Sequence, residues 1–146
     1  MLGSILAAVS QRKLWTEDRI KSHVARTVKE TSRRLHDHTP ESEHEGSADE
    51  LKALLIFSTP KQRTWLVADR WSVYFVLDDV RREDPRVQWI ARRTEMQPTR
   101  AKYDYSPESG VLYFGPQGKE WLFSKDLFQG RDVVECTRQF LGSGAQ

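Results

Sequence analysis

Few residues in this chain have the type and spacing to carry chemistry. Asp78 and Asp79 stand side by side behind an apolar stretch, and paired carboxylates can serve as acid and base or hold a metal. Adjacent residues at a strand end point to opposite sides, however, and Arg81 and Arg82 close by would keep both carboxyls ionised. His36, His38 and His44 carry donor atoms for a transition metal, but they lie in a segment with no large apolar residue to hold them in place. The single cysteine, Cys136, follows every histidine by some ninety residues and borders an apolar helical face, where it reads as a packing residue. There is no glycine-rich phosphate loop, no nucleophile elbow and no zinc-spaced Cys/His pair. The expectation is a chain that is not an enzyme, with no cofactor and no metal.

Composition points the same way. The formal charge of +2 divides into blocks: residues 1–35 carry eight Lys/Arg against three Asp/Glu, residues 36–50 none against six, and residues 51–146 fifteen against twelve. One cysteine cannot form an internal disulfide, which favours a reducing, cytoplasmic setting. No apolar run approaches the roughly 20 residues that span a bilayer, and the first residues lack the basic leader of a signal peptide. Arg100–Tyr105 alternates charge with aromatic residues in a way that could stack on single-stranded nucleic acid, but the near-neutral charge of residues 51–146 disfavours that partner.

The elements that would position these residues fall into three parts. Residues 1–35 form a basic amphipathic helical segment. A first helix is expected over residues 2–15, and a second begins at Thr16-Glu17-Asp18, an N-cap followed by acids. Its apolar stripe, Ile20, Val24, Val28 and Leu35, is thin and needs a partner: the chain's own domain, a second copy, another protein or an anionic membrane. Residues 36–50 form an acidic linker. Residues 51–146 hold the core, with four of the five tryptophans.

Within that domain, Trp71, Val73, Phe75 and Leu77 alternate with Ser72, Tyr74 and Val76, a pattern that reads as a central strand. Further strands are expected at Leu51–Ser58, Thr64–Ala68, Arg86–Ile90, Arg100–Tyr105, Val111–Phe114 and Glu120–Phe123. A final helix presents Val133, Val134, Thr137, Phe140 and Leu141 on one face and stops at Gly142. Trp65-Leu66-Val67 has apolar side chains on both faces, so one outer sheet face should be covered, by the N-terminal helices or by a partner.

Seven hairpin-connected strands followed by one amphipathic helix resemble the pleckstrin-homology-like superfold over about residues 51–142. The resemblance implies an α+β domain, a seven-stranded antiparallel barrel or sandwich closed by the C-terminal helix and here preceded by N-terminal helices. It rests on element order; Phe140 stands near where many members carry a tryptophan. Family members often bind phosphoinositide head groups through basic residues on the first two strands and their connection, which implies an anion- or partner-binding role for Lys61, Arg63, Arg81 and Arg82. Asp78, Asp79, Glu83 and Asp84 crowd the same loop and should largely cancel that field. The expected function is a non-catalytic protein-interaction or adaptor module whose helical segment mediates self-association or partner docking. The alternative is a peripheral membrane adaptor for anionic lipid head groups.

Overall fold

Thr16 starts the first helix: its Oγ1 accepts a hydrogen bond from Arg19 N at 3.3 Å, and Glu17 and Asp18 occupy the positive end of the dipole. The helix, α1, runs Glu17–Leu35. The computed structural model describes residues 12–35 and 51–142, without the side chains of 28–35. Residues 12–16 are neither helix nor strand, so the part of the expected first helix that falls on them is absent; its residues 2–11 lie outside the described part, as do residues 36–50 with their three histidines.

Four antiparallel strands follow in sequence order, β1 (Lys52–Ser58), β2 (Gln62–Ala68), β3 (Ser72–Asp79) and β4 (Arg86–Arg92). A short 3₁₀ turn at Arg93–Glu95 leads to a second antiparallel sheet of β5 (Pro98–Lys102), β6 (Ser109–Phe114) and β7 (Lys119–Ser124). A 3₁₀ turn at Lys125–Leu127 precedes the last helix, α2 (Val133–Leu141). Asp132 caps α2 by accepting from Val134 N and Glu135 N, and Gly142, at φ 73°, ends it.

The two sheets face each other across a core of Ile56, Leu66, Val73 and Phe75 from the first and Leu112, Phe114 and Phe123 from the second, closed by Val133 and Leu141 of α2. Phe75 stacks on Trp121 at 4.5 Å between centroids and meets Phe114 edge-on at 5.2 Å. Phe123 lies directly over Gly110, where a Cβ would fall 2.4 Å from the ring, so only glycine fits that site in β6. A second apolar layer lies on the outer face of the first sheet. There Trp65, Val67, Tyr74 and Val76 are covered by Trp15, Ile20 and Val24 from the N-terminal segment, with Leu51 beside them. This is why β2 and β3 read as apolar on both faces.

The arrangement is α+β and compatible with a pleckstrin-homology-like fold, but three expectations need correction. The sheets do not close into a barrel: β4 borders only β3 and β5 only β6, because the Arg93–Glu95 turn separates them. Lys119, at the start of β7, sets its Nζ 3.4 Å above the ring centroid of Trp89 in β4. A single α-helix, not several, precedes the sheets among the described residues. Finally, Trp71 lies in the β2–β3 turn at 54% exposure, outside the strand whose alternation it continues, and Tyr103 and Tyr105 fall in the loop after β5.

If α1 is part of the folding unit, truncating its buried face must cost what a core truncation costs. Ile20→Ala in the full chain is expected to lower stability by about 2–4 kcal/mol. Urea unfolding checks this as a shift in midpoint at unchanged slope.

Candidate functional site

Pairing of β2 with β3 sets Arg63 opposite Asp78 and Gln62 opposite Asp79, and Val80 N donates to Lys61 O at 3.0 Å. The β1–β2 turn and the β3–β4 loop are thereby tied together, and Lys61, Arg63, Arg81 and Arg82 gather at one end of the first sheet. Two of these four cations are engaged locally. Arg81 forks onto Asp79, Nη2 to Oδ2 at 2.7 Å and Nε to Oδ1 at 3.0 Å, while Gln62 Nε2 donates to Oδ2 at 2.8 Å. The hydrogen bonds from Arg81 and Gln62 hold the Asp79 carboxyl well below the usual carboxylate range, and Asp79 in turn raises the Arg81 guanidinium. Arg63 Nη1 donates to Trp15 O at 3.3 Å. Lys61 and Arg82 form no ion pair among the described residues.

The centre of this end is a group of residues that sequence spacing does not connect. Asp78 has no exposed surface; its carboxylate accepts from Arg12 Nη2 and, at 2.6 Å, from Trp15 N. Arg12 also donates through Nη2 to Asp79 O at 3.0 Å, through Nε to Arg82 O at 2.5 Å and through its backbone N to Val80 O at 3.4 Å. Residues 12–15 are thus tied to the end of β3 and the β3–β4 loop by backbone and side-chain hydrogen bonds together. The Trp15 ring then lies under Arg19, 4.0 Å from guanidinium to centroid, and edge-on to His23 at 5.5 Å. The signal that could have found this was parity: Asp78 continues the outer-face column of Tyr74 and Val76, and an acid in a buried column needs a cation or N–H donors.

Of the helix face, Ile20 and Val24 are fully buried on the chain's own sheet. The side chains of Val28 and Leu35 lie outside the described part. Cys136 is half-buried against the inner core. A cleft of about 630 Å³ opens between Phe57, Pro60, Pro107, Lys125 and Gly130. There Ser58 N donates to Ser124 Oγ at 2.9 Å and Lys125 Nζ to Ser106 O at 2.8 Å. Among the described residues no group of His, Cys, Asp or Glu could hold a metal, and no helix is long and apolar enough to cross a membrane.

The strand edges differ in cover. β1 lies against β7, and α2 packs on β5. Among the described residues β4 is hydrogen-bonded on one side only, to β3, and exposes Arg86, Gln88, Ile90 and Arg92. Compared with known proteins, the chain matches no family model, no curated protein and no solved structure.

Because folding lowers the Asp79 pKa, its contribution is complete above the ordinary aspartate value of about 3.9 and is lost as pH falls toward the folded value. Asp79→Asn is therefore expected to flatten the loss of stability below about pH 4. Urea unfolding at a series of acid pH values measures the slope.

Proposed function

We propose that this chain is a non-catalytic interaction module of pleckstrin-homology-like architecture that binds an extended peptide of a protein partner along the free edge of β4. The observation that carries this reading is the single-sided pairing of β4. Its unpaired edge offers backbone donors and acceptors over seven residues, the means by which a sheet takes up an added strand. The amphipathic face of α1 is a weaker candidate for docking, since Ile20 and Val24 are already buried within the chain.

The side chains of β4 narrow the kind of peptide. Ile90, 48% exposed, offers an apolar contact beside Arg92, and Arg86 sits at the other end. A second copy pairing antiparallel about Trp89 would place Arg86 opposite Arg92, and like charges directly opposite destabilise a sheet. A peptide with an apolar centre and acidic flanks meets no such repulsion. A membrane role through Lys61, Arg63, Arg81 and Arg82 has less support, because Arg81 is held by Asp79 and Arg63 by the Trp15 carbonyl.

Selection from a displayed peptide library against the full chain tests the proposal. Enriched peptides should carry acids around an apolar centre and shift the amide resonances of β4. Ile90→Glu should weaken them by about tenfold or more, corresponding to about 1.4 kcal/mol. Shifts confined to another element, or binding unchanged in Ile90→Glu, would overturn it.

A further inference from the structure

At the end of the first sheet opposite the Asp78 cluster, β2 and β3 are joined by a turn whose carbonyls are satisfied from within the protein. Asp69 N donates to Ser72 O at 3.0 Å, and Asp69 Oδ1 accepts from Trp71 N at 2.8 Å and Ser72 N at 2.7 Å. The second carboxylate oxygen of Asp69 accepts from Tyr74 Oη at 2.8 Å. Burial and then the Asp69 charge raise the Tyr74 hydroxyl above its ordinary range, which keeps it protonated as the donor. From the other side comes Arg93, only 8% exposed: its Nη1 donates to Asp69 O at 2.8 Å and to Arg70 O at 3.2 Å, and its backbone N to Trp71 O at 3.0 Å. All three carbonyls of the tip are therefore paired. Such a turn can leave water without stranding its acceptors.

The side chains carried by this turn suit one environment. Trp71 is 54% exposed at the tip, beside exposed Arg70. Arg92 lies opposite Ser72 in the β3–β4 pairing and Lys52 opposite Ala68 in the β1–β2 pairing, both exposed. With Arg93 beneath, four cations face two acids among the described residues, Asp69, which is buried and engaged by the turn, and Glu95, 3.8 Å from Arg92. Arg93 has no acidic partner among the described residues, and its Nε is buried without an acceptor. Indole settles at the head-group level of a bilayer, and guanidinium groups pair with anionic lipid head groups.

We propose that the Arg70-Trp71 tip, with Arg92 and Lys52 beside it, docks on an anionic phospholipid bilayer. This goes beyond peptide binding and uses a different surface. Trp71 enters the interface, Arg70 and Arg92 contact the head groups, and the Arg93 clamp keeps the turn rigid. β4 meets the membrane only at its Arg92 end, so the rest of its edge stays open.

Flotation of the full chain with vesicles of equal parts phosphatidylserine and phosphatidylcholine, against phosphatidylcholine alone, tests this. Binding is expected only with phosphatidylserine and should weaken with added salt. The double variant Arg70→Glu/Arg92→Glu should lower partitioning about tenfold or more, whereas Lys61→Glu/Arg82→Glu should leave most of it. Brominated lipids should quench the tryptophan emission of the wild type, and Trp71→Phe should lose most of that quenching. These positions are exposed, and circular dichroism checks that each variant is folded. Absence of binding to the phosphatidylserine vesicles would overturn the proposal. So would binding that survives Arg70→Glu/Arg92→Glu but is lost in Lys61→Glu/Arg82→Glu, or quenching unchanged in Trp71→Phe.

Discussion

A carboxylate without exposed surface is the constraint on which this fold turns. Asp78 follows Tyr74 and Val76 on the buried outer face of β3, and an unpaired charge there would be prohibitive. Arg12 and the Trp15 amide supply the missing partners. Breaking a buried pair of this kind typically costs about 3–5 kcal/mol, because the remaining charge is left uncompensated. The requirement is geometric as well as energetic. Once Arg12 and Trp15 are bound to Asp78, Thr16 follows at the position where α1 begins, and the helix is delivered onto the sheet.

That delivery explains the double-sided burial of β2 and β3. Ile20 and Val24 cover Trp65, Val67, Tyr74 and Val76, each fully buried aliphatic side chain contributing roughly 1.5–3 kcal/mol of transfer free energy. The inner face meets the second sheet through stacked and edge-on aromatic rings, with α2 closing the end. The edge of β4 and the tip between β2 and β3 lie outside these two apolar layers. The polar end that gathers the basic side chains is largely self-neutralising, with Asp78 and Asp79 holding Arg12 and Arg81.

The legible parts of the fold were those governed by near neighbours. The seven strands, the cap at Thr16 and the final helix with its stop at Gly142 all follow from residues within a few positions of one another. The alternation through Trp71 misled for a specific reason. Period two persists across the Asp69 turn, but the hydrogen bonds from Trp71 N and Ser72 N to Asp69 Oδ1 take the tryptophan out of the ladder. Tyr103 and Tyr105 continue the pattern of β5 in the same way, after pairing with β6 has stopped at Lys102. As for the candidate site, Lys61, Arg63, Arg81 and Arg82 were named together by the resemblance, whereas the engagement of Arg81 by Asp79 and of Arg63 by the Trp15 carbonyl was not legible.

Sequence alone determined the element order, the inner faces of the strands and the amphipathic character of both helices, because periodicity and capping are local properties of the chain. It also determined that one outer sheet face needed cover. Only the tertiary structure decided what supplied that cover, since Arg12 meets Asp78 across 66 positions and no local signal encodes such a pairing. It likewise decided which edges stay open, because closure of a two-sheet fold depends on how strands far apart in sequence approach. β4 and β5, joined through the turn at Arg93–Glu95, accordingly stand in separate sheets.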